Sequence, residues 1–281
     1  MSTVPQTFGT RLQAAVAAQG PIIAGIDPHA SLLADWGLSD DAAGLREFSR
    51  RTLLAVHGEV AAVKPQSAFF ERHGSAGVAV LEELLAAARE LGILTILDVK
   101  RGDIGSTMGA YARTHLRPGA PLEADAITVS PFLGTGSLDP AVDLALEHGK
   151  GLFVLALTSN PDGPQVQHAR ADDGTPVACH IARYAQERGG GGEDRWSSIG
   201  LVVGATVGDA YQRLGLDRAA PSAPLLAPGF GAQGAGPLER TAVFGDSAGH
   251  VLVSLSRGLL AAGPEAELLQ RRAAELRAAY A

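Results

Sequence analysis

Several things are scarce in this sequence, and each shortage excludes a class of protein. There is one cysteine, Cys179, in 281 residues. A single thiol builds neither an intrachain disulfide framework nor a cysteine-based zinc site. No apolar run approaches the roughly 20 residues that cross a bilayer, so no membrane partner is expected. The N-terminus, MSTVPQTFGTRLQAAVAAQG, lacks the basic start and apolar core of a secretory signal. A cytoplasmic location is the expectation. Positive charge is also short, with 23 Lys and Arg against 30 Asp and Glu and a formal net charge of −7. Binding to a phosphate backbone needs a basic face, so no nucleic-acid partner is expected. Lysine is scarcest, with only Lys64, Lys100 and Lys150 against 20 arginines. Lysine is a compact, tunable proton donor, whereas arginine stays protonated. Where such a chain keeps a lysine, the ammonium itself is a candidate for chemistry.

The chain is rich in apolar residues (46%) and in glycine (35 residues). Its apolar runs alternate between strand-like and helix-like. The spacing predicts strands at Ile22–Asp27, Val60–Lys64, Leu94–Lys100, Ala126–Ser130, Leu152–Leu157, Leu201–Gly204, Pro224–Ala227 and Val251–Leu255. Helices are predicted at Asp41–Val56, Ala76–Leu91, Ile104–Leu116, Ser137–His148, Pro176–Arg188, Gly208–Leu214, Leu238–Val243 and Pro264–Tyr280, after a leading helix over Phe8–Gln19. Eight alternating β and α units point to a single-domain (β/α)₈ TIM barrel, with an open doubly wound sheet as runner-up. The stretch from about 158 to 198 is an enlarged loop region. It includes the run Arg188-Gly-Gly-Gly-Gly-Glu193, which reads as a flexible linker.

In a TIM barrel the chemistry sits at the C-terminal ends of strands. Those ends are polar here: Asp27, Lys64, then Asp98, Lys100 and Asp103, then Ser130, and Ser256-Arg257-Gly258. Ile96, Asp98 and Lys100 alternate along the third strand and so share one face. With Lys64 on the neighbouring strand they give a candidate Lys–Asp–Lys–Asp array of alternating charge, for which a plain salt-bridge cluster is the bland alternative. After the seventh strand, Gly229-Phe-Gly-Ala-Gln-Gly234 matches the G-x-G-x-x-G pattern. Its late position and the following Gly236-Pro237 disfavour a dinucleotide fold. A phosphate loop with Arg257 as a charge-assisted clamp fits better. His29, His115 and His250 show no metal-ligand spacing and read as structural or solvated; no metal site is expected.

The run Asp98-x-Lys100-x-x-Asp103, with GIDPH, AVKPQSAFFE, TVSPFLG, APGFGAQG and SLSRG in that order, resembles the orotidine 5′-phosphate decarboxylase family, in its longer-chain bacterial (type 2, mycobacterial-like) branch. The resemblance covers about Phe8 to Leu260. It implies conversion of orotidine 5′-monophosphate to UMP and CO₂ without a cofactor, in a homodimer with shared active sites. It further implies roles for individual residues. Lys100 would stabilise and protonate the C6 carbanion, and Asp98 would face the substrate carboxylate. Lys64 would contact the ribose and keep Asp98 ionised. Asp103 and Thr107 would come from the other subunit, and Asp27 would bind a ribose hydroxyl. Ser130 would read the pyrimidine amide. Gln233 and Arg257, with Gly231 and Gly234 nearby, would hold the phosphate under a mobile segment Gly229–Pro237. Two competing functions remain at this point: a magnesium-dependent sugar-phosphate enzyme on the same barrel, and a barrel that binds nucleotides without turnover.

Overall fold

The strands are apolar at nearly every position rather than alternately, because parallel strands in a barrel are covered on both faces. Ile22–Ile26 is buried throughout, as is Ile199–Val203. The computed structural model describes residues 6–192, 194–231 and 234–280. It places eight parallel strands in one closed barrel in sequence order: β1 (Ile22–Ile26), β2 (Ala62–Pro65), β3 (Leu94–Arg101), β4 (Ala126–Val129), β5 (Gly151–Leu157), β6 (Ile199–Val203), β7 (Leu225–Pro228) and β8 (Val251–Leu255). β8 pairs with β1 through Ile22 and Val253, which closes the cylinder. The expected TIM barrel is therefore the observed fold.

Differences from the sequence expectation are local. Most strand ends move by one or two residues, and β6 starts at Ile199 rather than Leu201. The helix expected over Gly208–Leu214 is two single turns, Ala210–Arg213 and Leu216–Ala219, broken at Gly215. The helix expected from Ser137 opens with a 3₁₀ turn, Thr135–Leu138, and becomes α-helical at Asp139. Short helices at Ala30–Asp35, Ala68–Glu71, Pro164–Gln167 and Arg257–Leu260 were not anticipated. Four to six residues are too few to show a helical period. The glycine run is also not a free linker in its described part. Gly190 ends the Val177–Gly189 helix in the left-handed region, and a Cβ on Gly191 would lie 2.3 Å from Ser222 Oγ. A positive φ explains Gly190, and close packing explains Gly191.

The barrel interior is layered. At the strand starts, the helix Phe8–Gln19 lies across the opening and pushes Phe8 and Leu12 into a cluster with Ile23, Ile96, Phe153, Val202 and Leu252. Phe8 meets Phe153 edge-on, ring centroids 6.1 Å apart. Gly151 makes room for it, since a Cβ there would lie 2.1 Å from the Phe8 ring. Ion pairs fasten the same end: Arg11 to Asp125 at 2.7 Å and Lys150 to Glu123 at 2.7 Å. Lys150 is thus assigned to the structure, at the end opposite the other two lysines. Phe8→Ala should destabilise the protein by ~3–5 kcal/mol, the usual cost of emptying a buried aromatic site. Urea unfolding checks this; an unchanged midpoint would show that the helix is not part of the core.

Candidate active site

At the other end of the barrel the inward layer turns polar. Lys64 from β2 and Asp98 from β3 are both buried, and a cavity of about 320 Å³ opens over them. Asp27, His29, Gln66, Lys100, Thr128, Ser254, Ser256 and Arg257 line it too, with Gly229 and Phe230.

Asp98 is the centre of this layer. Its Oδ1 accepts from Lys100 Nζ at 2.6 Å and from Thr128 Oγ1 at 2.8 Å; its Oδ2 accepts from Gln66 Nε2 at 2.9 Å and Lys64 Nζ at 3.3 Å. Lys64 Nζ also lies 3.9 Å from Asp27. Burial alone would push the Asp98 carboxyl up. The charges of Lys64 and Lys100 and their hydrogen bonds outweigh that and bring it down to about 2. Lys64 balances in the same sense: burial pushes it down, and Asp27 and Asp98 more than restore it, to above its ordinary value. Both groups are charged at neutral pH.

Lys100 reaches Asp98 through an irregular backbone. It is the one non-glycine residue with a positive φ, +46°, among the described residues. The β3–β4 register also shifts between Leu97 and Arg101. Such a conformation costs on the order of 1–3 kcal/mol and needs support. Thr128 supplies it: its hydroxyl accepts from Val99 N at 3.1 Å and Lys100 N at 2.9 Å while donating to Asp98. One buried side chain holds both the bulge and the carboxylate.

The sequence-expected residues divide in two. The structure brings Asp27, Lys64, Asp98, Lys100 and Arg257 to the cavity. It does not bring Asp103, Thr107 or Ser130 there. Asp103 is half-buried and accepts from the N–H of its neighbour Ile104 at 2.8 Å. Thr107 is exposed on the helix Gly105–Leu116, and the Ser130 N–H donates to Arg101 O at 2.8 Å. Hence three members of the expected four-charge array meet within one chain, and the fourth does not. Gly231 and Gly234 lie in the left-handed region with their amides bonded inside the turn, to Ala235 O and Gly231 O. Gln233 lies outside the described residues.

Sequence reasoning missed Gln66, Thr128 and Ser254. Each could have been found by the alternation that selected Asp98 and Lys100, since each lies two residues from a residue already singled out or from the strand's polar end. His29 lines the cavity and packs against Phe69, ring centroids 4.2 Å apart and planes tilted by 59°. It sits just beyond β1, a position that periodicity does not register.

Two atoms at the cavity have no hydrogen-bond partner, Asp27 Oδ1 and Ser256 Oγ, though both are buried. Buried polar atoms are nearly always satisfied, so these mark places for ligand hydroxyls or similar donors. Thr128→Val keeps the shape and removes the hydroxyl. It should cost ~1–3 kcal/mol, since two amides and Asp98 lose their partner. The ionised form of Asp98 contributes stability that is complete above the ordinary carboxylate pKa of ~4 and is lost as pH falls through about 2. Without the Thr128 hydrogen bond that loss should begin at higher pH. Acid-unfolding curves of the two proteins check it, and coincident curves would remove Thr128 from this role.

Residues 20–271 match the family model described as the orotidine 5′-phosphate decarboxylase / HUMPS family. An orotidine 5′-phosphate decarboxylase of Streptomyces coelicolor is 54% identical over 280 residues, covering 98% of each chain. That of Salinispora arenicola is 52% identical, covering 95% of each. Among solved structures, one from Streptomyces avermitilis, itself provisionally assigned to the same enzyme, superposes with a TM-score of 0.93 at 52% identity, over 99% of this chain and 96% of the other. The Leishmania donovani OMP decarboxylase superposes with a TM-score of 0.77 at 31% identity, over 98% and 99%. The motifs, the barrel and the lysine–aspartate layer at its mouth agree with these likenesses: the chain belongs to the orotidine 5′-phosphate decarboxylase / HUMPS family.

Proposed function

We propose that this protein decarboxylates orotidine 5′-monophosphate to UMP and CO₂, the last step of pyrimidine nucleotide synthesis, and that it uses no cofactor. The observation that carries this reading is the ionised Asp98 between two ammonium groups, at 2.6 and 3.3 Å, on the floor of a cavity that Arg257 also lines. The C6–carboxylate bond breaks heterolytically, CO₂ leaves, and the electron pair stays on C6 in the plane of the ring. No conjugated sink can receive that pair, so a fixed cation is the appropriate stabiliser. Lys100 Nζ supplies the charge and then the proton that makes the C6–H bond of UMP. Asp98 faces the departing carboxylate. Two anions ~4 Å apart repel by ~4 kcal/mol at an effective dielectric near 20, and loss of CO₂ relieves that repulsion.

Lys64 keeps Asp98 ionised and reaches the ribose, and Asp27, whose Oδ1 has no hydrogen-bond partner, accepts from a ribose hydroxyl. Arg257 grips the phosphate, and the family resemblance assigns Gln233, Gly231 and Gly234 to the same group; binding energy at this remote group can serve the transition state through orientation. Ser130 is assigned to the pyrimidine amide from the family resemblance. A divalent cation is disfavoured because the Lys64 ammonium already stands between Asp27 and Asp98. We place the protein in the cytoplasm; among the described residues no helix is long and apolar enough to cross a membrane. A UV assay of orotidine 5′-monophosphate with EDTA present tests the reading. The wild type should turn over, and Lys100→Ala should lose at least ~10³-fold in kcat while still binding UMP, a loss of the size seen when a principal electrostatic group is removed. Turnover only with added Mg²⁺, or near-normal turnover by the variant, would overturn it.

We further propose a homodimer in which Asp103 and Thr107 complete the partner's site. Support comes from their absence from their own cavity and from the exposed apolar side chains beside them, Ile104, Phe132 and Leu133. A two-fold interface would exchange such a loop reciprocally. Mixing inactive Lys100→Ala with inactive Asp103→Asn should restore about a quarter of wild-type activity, because half of the dimers are mixed and each holds one intact site. No restoration after confirmed subunit exchange would mean that the sites are not shared.

A further inference from the structure

Most surface arginines of this protein are answered by carboxylates. Arg46 pairs with Glu83, Arg50 and Arg51 with Glu47, Arg72 with Asp40, and Arg188 with Asp139 and Asp143. One cavity gathers four arginines with little such pairing. Between the start of the Val177–Gly189 helix and the turns that follow β6 lies a space of about 400 Å³, lined by Arg170, Arg183, Arg213 and Arg218, with Thr175 and Cys179. Its one acidic lining residue, Asp173, is engaged by Thr175 and His180. Among the described residues, only Arg213 of these four has a carboxylate partner, the exposed Asp209 at 3.4 Å. Arg170 and Arg183 donate to neutral oxygens, Gly174 O at 2.6 Å and Thr175 Oγ1 at 3.5 Å. Arg218 has no carboxylate within 4.0 Å among the described residues.

Four guanidinium groups around one space repel one another, and on a chain of net charge −7 they are not a general basic face. The segment that carries Arg170 is held by backbone bonds, Ala171 N to Thr175 O at 3.0 Å and Gly174 N to Ala171 O at 2.8 Å, and by the bridge between Arg170 and Pro176. The backbone that carries Arg170 is therefore set, and its guanidinium is held by Gly174 O, before any ligand arrives. Planar guanidinium forks match phosphate oxygens in bidentate fashion. The cavity has mostly polar walls and no aromatic side chain in its lining, so it offers no ring platform for a nucleobase.

We propose that this cavity is a second anion site, separate from the catalytic cavity, which takes a compact polyphosphate group without contacting a base. Isothermal titration with pyrophosphate, in the presence of saturating UMP to fill the catalytic site, tests it. The expected result is one pyrophosphate per chain, weakened at least tenfold in the double variant Arg183→Ser with Arg218→Ser, with UMP affinity and kcat unchanged. If that variant binds UMP abnormally, Arg170→Gln serves instead, with the same loss expected. Tripolyphosphate and UTP should bind alike, and inorganic phosphate more weakly. Absence of pyrophosphate binding, or binding that the variants leave intact, would overturn the proposal. So would citrate binding as tightly as pyrophosphate, or UTP binding much more tightly than tripolyphosphate.

Discussion

A buried carboxylate that stays ionised is the constraint around which the upper half of this barrel is arranged. Asp98 takes donors from three adjacent strands and their ends: Lys64 and Gln66 from β2, Lys100 from its own β3, and Thr128 from β4. Without the two ammonium groups, burial would favour the neutral acid, and a neutral acid would hold neither lysine. The ion cluster thus fixes the spacing of β2, β3 and β4 at the mouth of the barrel. It also explains a backbone irregularity that packing alone would not favour. The positive φ of Lys100 and the register shift before Arg101 turn the ammonium back over Asp98, and the Thr128 hydroxyl takes the two amides which the bulge releases.

Stability and chemistry occupy opposite ends of the same cylinder. At the strand starts the interior is apolar, closed by Phe8 and Leu12, and its ion pairs lie at the margin where Arg11 meets Asp125 and Lys150 meets Glu123. At the strand ends the interior is charged and open. The strained, half-exposed Lys100 lies at the open end, away from the tightly packed base. The three lysines follow this division. Two lie in the cavity, and the third is a buried counter-ion for an acid pair at the base.

What could be read from the sequence follows the range of the forces involved. The strands were legible because burial on both faces leaves continuous apolar runs, and strand ends are where barrels put polar residues. Asp98, Lys100 and Lys64 were legible because alternation along a strand is a local rule. Thr128 obeys the same rule, but a threonine among apolar residues looks like ordinary β-structure until its partners are seen. The bulge at Lys100 could not be read, since it is supported by a hydroxyl 28 residues away in the chain. Nor could the packing of Gly189 and Gly191, whose need for a missing Cβ comes from Ser197 and Ser222. The arginine cavity was hidden for the same reason: Arg170 and Arg183 come from one long loop and helix, Arg213 and Arg218 from the next, and no local pattern joins them.

The separation of Asp103 from its own cavity has a local cause. Directly after β3, Gly102 packs against β4's end so closely that a Cβ would lie 2.5 Å from Ser130 O. The chain passes that carbonyl only with a bare backbone. Arg101 on one side is held outward, by Glu71 at 2.8 Å and over the ring of Tyr111. The short loop then enters the helix Gly105–Leu116, and the Asp103 carboxylate caps the Ile104 amide instead of turning back to Lys100. An acid placed three residues beyond Lys100 in sequence is therefore carried away from it in space, beside the exposed Ile104. The sequence pattern Asp-x-Lys-x-x-Asp reads as one array, yet the fold splits it after the lysine. In the proposed homodimer, a second copy meeting the first through that loop would reunite its parts.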